Sequence, residues 1–219
     1  MRLDKFRQKA TPRAISSCPL CSVEIIAKCG NIKVWHWAHK NLLECDHWWE
    51  PVSEWHLSWQ NCVDEKFIEV PIGNHRADIQ LPNGMVIELQ SSSLSEDEVS
   101  ERECFYNNMI WVFNGEKFKE RFKFYHKISK YGNEYVTFYW KRPRTYIGMT
   151  EKPVYIDFGG DEILKIKEFT FEDVLKEWNG KEYETKQFKG WGHIFTRQEA
   201  YHYLFGQNYL PQIEIGNKK

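Results

Sequence analysis

The segment from His75 to Gln90 reads His-Arg-Ala-Asp-Ile-Gln-Leu-Pro-Asn-Gly-Met-Val-Ile-Glu-Leu-Gln. Polar and apolar residues alternate on both sides of Pro82-Asn83-Gly84, which predicts two strands joined by a tight turn. Folded about Asn83, Asp78 falls opposite Glu88 and Arg76 opposite Gln90. Ala77, Ile79, Leu81, Met85, Ile87 and Leu89 share the other face. Directly opposed carboxylates repel each other, and a cation shared between them removes the conflict. Asp78 and Glu88 therefore have the types and spacing of a divalent-metal site with hard oxygen ligands. An amphipathic hairpin with a solvated charged face would show the same alternation.

A second group of residues has soft ligands. Cys18-Pro19-Leu20-Cys21 is followed, after 14 residues, by His36-Trp37-Ala38-His39. Two thiolates and two imidazoles are the tetrahedral donor set that Zn²⁺ prefers, and Cys-x2-Cys places both thiolates on one metal. The expected ligands are Cys18, Cys21, His36 and His39. The His-x2-His spacing is shorter than the usual three to five residues, so Cys29, Cys45 and His47 stand as substitutes. Four protein ligands leave no open position, which points to a structural zinc.

The elements that must position these groups follow from periodicity. Residues 53–67 carry Trp55, Trp59 and Cys62 or Val63 on one stripe, which predicts a helix just before the hairpin. Its Glu54, with Glu50 upstream and His56 two residues on, is placed to bring an acid to the strand ends. Ser95-Glu96-Asp97-Glu98 has the form of a capping box opening a helix to about Asn108. Met109 to Phe113 is a continuous apolar run, as in a strand buried on both faces. Helix, hairpin, helix and buried strand together predict a mixed sheet with helices packed on it. Further strands are expected at 135–140, 154–158 and 163–169, and further helices near 171–178 and 196–205.

The chain has 219 residues, 42% apolar and 16% aromatic with 10 Trp, enough for a sizeable core. Residues 17–48 are too few to fold on apolar burial alone, so a metal would have to stabilise them. The expected organisation is a zinc-finger-like module over 1–48, a core over 49–130 and a C-terminal α+β portion over 131–219. A net charge of -1 removes any bulk electrostatic case for binding nucleic acid, so local patches must carry it. Residues 116–146 hold nine Lys or Arg against three acids, whereas 161–184 hold eight acids and four Lys. No apolar run reaches membrane-spanning length and no signal-peptide pattern is seen, so a cytoplasmic protein is expected. Six cysteines then suggest metal binding or buried thiols.

Taken in order, these motifs resemble the competence protein CoiA-like family, a branch of the PD-(D/E)XK, or restriction-endonuclease-like, nuclease superfamily. The resemblance rests on Cys-Pro-x-Cys, on His36-Trp37-Ala38-His39 for the family's His-Phe-Ala-His, and on Glu54-x-His56. It continues through Arg76-Ala77-Asp78, Ile87-Glu88-Leu89-Gln90-x-Ser92, Arg102-x3-Tyr106 and Trp111-Val112-Phe113-Asn114. It implies an α/β fold of the restriction-endonuclease-like class, a mixed sheet flanked by helices behind a small zinc-finger-like module. Asp78 and Glu88 become metal-binding acids, with Glu54 the helix-borne acid that completes the site.

Gln90 stands where the superfamily usually has lysine, as in the Glu-x-Gln pattern of CoiA-like members. An amide orients by hydrogen bonds but supplies no positive charge, and Arg76, opposite in the hairpin, is the expected replacement. The function so implied is DNA phosphodiester hydrolysis with Mg²⁺ or Mn²⁺, with a protein partner possible and no membrane. The rival is a DNA-binding protein that keeps the fold and has lost cleavage. Lys117, Lys119, Arg121, Lys123 and Lys127, or Lys141, Arg142 and Arg144, are the candidate phosphate contacts. Phe118, Phe122 and Tyr125 are either platforms for unpaired bases or, as their spacing favours, anchors to the core.

Overall fold

In the computed structural model, residues 10–18, 20–31, 35–40, 45–48 and 52–210 are described. They divide into two units, the first holding the residues up to Ile87 together with those from Tyr201, the second Glu88–Ala200.

The first unit opens with a three-stranded antiparallel sheet, β1 (Ile15–Ser17), β2 (Glu24–Lys28) and β3 (His36–His39), paired in that order. Behind it lies a very small core of Ala10, Cys18, Ile25 and Trp37. This is the shortage of apolar burial expected for the region.

The helix expected over 53–67 is shorter. It is α1 (Glu54–Gln60), capped at Ser53 by a box in which His56 is the third residue. Cys62 and Val63 tighten its end through bonds to the carbonyls of Trp59 and Gln60. Asp64 then accepts from the backbone N–H of Lys66 and starts a separate 3₁₀ turn, Glu65–Phe67. A second N-cap so close to the first ends the helix, because Asp bonds its own backbone more readily than it continues a helical turn. Trp59 is fully buried, with Tyr201 edge-on at 4.9 Å and Phe205 at 6.2 Å.

Next come β4 (Ile68–Ile72), β5 (His75–Gln80) and β6 (Val86–Gln90), adjacent in that order. The hairpin register is the expected one: Ile79 pairs with Ile87 and Gln80 with Val86. The turn closes by Leu81 N–H to Met85 O, with Gly84 at φ +80 and Asn83 Oδ1 accepting from Met85. β5 alternates buried and half-buried residues as predicted, but every residue of β6 is buried. The solvated amphipathic hairpin is therefore excluded for β6.

In the second unit the strand order is β6, β7 (Met109–Asn114), β10 (Val154–Asp157), β11 (Ile163–Trp178), β12 (Lys181–Phe195), β9 (Glu134–Lys141) and β8 (Phe122–Ile128). β7 and β10 run parallel and the pairs from β10 to β8 are antiparallel, so the sheet is mixed, as expected. α2 (Glu96–Tyr106) begins at the predicted capping box, Ser95 with Glu98, and ends at Asn107 in a positive-φ conformation. It packs on the sheet through Arg102 and Glu103. α3 (Arg197–Phe205) follows Thr196, which exchanges hydrogen bonds with Glu199 in a box of the same kind.

One expected element is replaced. The helix near 171–178 is the second half of β11, which runs on unbroken into a ribbon with β12. The turn is Asn179-Gly180, with φ of 51° and 72°, the two-residue connection whose twist matches paired strands. That dipeptide is a strong hairpin signal, and it outweighs the scattered apolar residues that suggested a helix.

Gly180→Ala places a Cβ at a positive φ, at a cost of about 1 kcal/mol. Amide exchange at the ribbon tip is expected to speed up several-fold, while that of β7 stays unchanged.

Candidate functional site

Four thiol and imidazole groups converge in the N-terminal module. Cys18, Cys21, His39 and Cys45 have donor atoms within 4.8 Å of one another. Cys18 Sγ is 3.5 Å from Cys45 Sγ, and Cys21 Sγ is 3.2 Å from His39 Nε2. Neighbouring sulfurs around a tetrahedral Zn²⁺ with ~2.3 Å bonds lie ~3.8 Å apart, close to the spacing found. Burial pushes the Cys21 thiol up, but hydrogen bonds from the Val23 backbone, His39 and the other two thiols outweigh it and bring it down to about 7. Burial and then the neighbouring sulfurs push Cys45 well above its ordinary range. Three thiols crowded this closely cannot all ionise unless a cation joins them, and the donor set is one that a metal such as zinc fits.

Cys45 occupies the place expected of His36. In a strand, side chains alternate faces, so His36 and His39, three residues apart in β3, point to opposite sides. The same spacing on a helix would have put them together. Cys29 also lies outside the group. Cys45 was legible only as one of several substitutes, because residue spacing says nothing about which loop folds back.

The residue after Cys45 ties this module to the hairpin. Asp46, buried, receives His75 Nδ1–H at 2.9 Å and the Trp48 N–H at 3.1 Å on Oδ1, and the Arg76 N–H at 3.0 Å on Oδ2. The Trp48 ring stacks on His75 with centroids 3.3 Å apart. Asp46, His47 and His75 form a second group with donor atoms within 4.8 Å. Here the carboxylate acts as a clamp on the first two residues of β5, three and two positions before Asp78.

Arg76 is not the charge that accompanies Gln90. Its Nε is 3.0 Å from Glu69 Oε2, both side chains nearly buried, and Glu69 Oε1 accepts from Gln60 Nε2 at 3.2 Å. Asp78 is half-buried, and its carbonyl accepts from the same Gln60 amide at 3.5 Å. Glu54 is exposed, the first residue of α1. His56 Nδ1 is 2.9 Å from Ser53 Oγ and 3.4 Å from Ser53 N, so its visible work is to cap the helix. Glu50 lies outside the described residues.

Glu88 and Gln90, two apart on β6, are 3% and 2% exposed. The cation beside them is Arg102 of α2. Its Nη1 is 3.1 Å from Glu88 Oε2 and 3.3 Å from Gln90 Oε1. Gln90 Nε2 donates to Ser92 Oγ at 2.9 Å and to Ser92 O at 3.3 Å, which sets the amide's orientation. The positive charge missing from position 90 is thus supplied from the helix that the Ser95 capping box starts. The signal for it in the sequence was the motif Arg102-x3-Tyr106, which carries part of the family resemblance. Two other buried carboxylates in this unit serve the fold. Glu103 takes Trp111 Nε1–H at 2.8 Å and the backbone N–H groups of Glu151 and Lys152, and Asp157 takes Arg197 Nη2–H at 2.8 Å.

The basic stretch divides. Phe118 and Phe122 stack on Trp140 at 5.0 and 4.7 Å, so they are anchors to the core. Lys119 pairs with Glu162, and Arg144 donates to Ser93 Oγ at 2.7 Å. Lys123, Tyr125 and Lys127 remain on the exposed side of β8.

Replacing Cys45 by Ala is expected to weaken Zn²⁺ retention by one to two orders of magnitude, whereas His36→Ala leaves it unchanged. Metal content of the purified variants decides it. Arg102→Met leaves Glu88 buried without its cation and should lower stability by about 3–5 kcal/mol. Most of that loss should return in the double variant with Glu88→Gln, a coupling that urea titration measures.

Two family models match the chain. Residues 7–47 match the N-terminal domain of competence protein CoiA, and residues 54–156 match the CoiA nuclease-like domain. No curated protein and no solved structure matches it.

Proposed function

Because the chain belongs to the CoiA-like family and carries that family's nuclease-like domain, we propose that it hydrolyses phosphodiester bonds in DNA with the help of a divalent cation. The observation that carries this reading is the buried Glu88–Gln90 pair gripped by Arg102. A carboxylate and an amide held together on one face of a sheet strand are costly to bury, and both lie within the stretch that matches the CoiA nuclease-like domain. Glu88 and Asp78 are the next residues along β6 and β5 from the paired Ile87 and Ile79. With Glu54 they are the acids proposed to hold Mg²⁺ or Mn²⁺. Such a cation would lower the pKa of an attacking water and neutralise charge on the scissile phosphate.

The protein's own groups have separable tasks. Arg102 stands 3.1 Å from Glu88 as its counter-charge. It also lends Gln90 the positive potential that a lysine would have carried. Gln90 gives both amide hydrogens to Ser92, so it can act on a water only through its carbonyl oxygen, as a positioner and not as a base. The Cys18, Cys21, His39 and Cys45 group is proposed to hold a structural Zn²⁺, since four protein ligands leave no open position.

A second reading, DNA binding without cleavage, draws on the same Arg102. A guanidinium already on Glu88 neutralises the carboxylate without a metal.

Linear and circular DNA, single- and double-stranded, incubated with Mg²⁺, Mn²⁺ or EDTA separate the two. The nuclease reading expects cutting that needs the metal and falls to background in Glu88→Gln. Binding with no cutting under any of these conditions would sink it in favour of the second reading.

A further inference from the structure

The sheet of the second unit has two faces of opposite chemistry where β8, β9 and β12 lie side by side. The register sets Phe122 opposite Trp140 and Phe124 opposite Phe138, and Phe188 opposite Trp140 on the other flank. These even-numbered positions form an aromatic core in which Phe138, Trp140 and Phe188 are fully buried. The odd-numbered positions face away from it. One cross-strand row reads Lys123, Tyr139, Lys189 and the next reads Tyr125, Thr137, Trp191, with Lys127 opposite Tyr135 beyond them.

An outer face is ordinarily polar, so rings there need a reason. Tyr125 and Trp191 are each 37% exposed. Tyr125 meets Tyr139 with centroids 6.1 Å apart, and Tyr135 meets Trp191 at 6.1 Å. The lysines interleave with them: Lys123 Nζ is 5.2 Å from the Tyr125 ring and Lys189 Nζ 5.7 Å from the Tyr139 ring. The acids of this face stand on β11 at its margin. Glu168 accepts from Trp191 Nε1 at 3.2 Å, and Glu172 lies 3.6 Å from Lys189 Nζ. β8, β9 and β12 are left as a track of rings and positive charge.

We infer that this face binds single-stranded nucleic acid, unpaired bases stacking on Tyr125, Tyr139 and Trp191 while Lys123 and Lys127 take the phosphates. Rings displayed on a flat sheet suit unpaired bases, whose π-faces are hidden in a duplex. The flanking ammonium groups supply the charge complementarity that a net charge of -1 does not. The inference rests on the nuclease reading and narrows its substrate to unpaired strands.

The test uses the full chain carrying Glu88→Gln, without added divalent cation, so that the probe survives. Fluorescence anisotropy with oligodeoxyuridylate, oligouridylate and a duplex of matched length measures binding. Either single strand should bind at least tenfold tighter than the duplex, and the comparison of the two shows whether the sugar matters. Tyr125→Ala, Tyr139→Ala and Trp191→Ala should each weaken binding about tenfold, with Tyr139→Phe and Trp191→Phe restoring most of it at unchanged thermal midpoint. Lys123→Gln and Lys127→Gln should each reduce the salt slope by about 0.7. Duplex bound as tightly as single strands, or ring variants that bind like the parent, would overturn the inference. Unaltered binding in ring variants of a chain that cleaves DNA removes this face and keeps the nuclease. Ring-dependent binding in a chain that never cleaves does the reverse.

Discussion

A carboxylate with 3% of its surface exposed forces a requirement on everything around it. Removing Glu88 from water costs several kcal/mol unless a cation and hydrogen bonds replace the lost hydration. Arg102 meets that requirement, and through it the neighbouring parts of the second unit gain their places. α2 must start at Ser95 so that Arg102, in the helix's second turn, reaches β6. Glu103, the next residue, then receives the Trp111 indole of β7 and the backbone ahead of β10. Gln90 completes the arrangement because it lies two residues from Glu88, on the same strand face, within reach of the same guanidinium. An Arg–Glu pair of this kind is weak evidence for stability in itself. It is better understood as the condition on which a carboxylate and an amide can be kept at the centre of a sheet.

The N-terminal module solves a different problem with similar means. Its apolar core is one small cluster of four buried residues, too little to order a chain of that length. Four soft donors drawn from three separate segments converge there, a set that could hold a metal where burial falls short. The residue following the last of them, Asp46, fixes the opening of β5 by hydrogen bonds to His75 and Arg76. Arg76 belongs to this local structure as the partner of Glu69, which is why it is not available as a stand-in for lysine.

The second unit also shows how one composition serves two faces. Aromatic residues are dense throughout the C-terminal half, and Phe118, Phe138, Trp140 and Phe188 are among those buried in the core. On β8, β9 and β12 period-two alternation assigns Tyr125, Tyr139 and Trp191 to the opposite side, with lysines between them. The same rule that separates His36 from His39 therefore separates ring from ring here.

Local rules were sufficient for much of the chain. The hairpin register about Asn83, the capping box at Ser95, the buried strand at Met109, the helix near 196–205 and the family motifs were all legible, because each depends on neighbours within a few positions. The Asn179-Gly180 turn is equally local, and its twist makes residues 171–178 a strand where their apolar spacing alone suggests a helix. What local rules could not supply were pairings between distant segments. Cys45 with Cys18, Arg102 with Glu88, and Arg76 with Glu69 are set by which loop returns to which strand and which helix covers which face. Those choices give each of these charges and thiols a partner where burial would otherwise strip it of hydration. Sequence by itself determined the elements and the chemistry they carry; tertiary structure alone decided the partners, because desolvation acts on where a group ends up and not on its position in the chain.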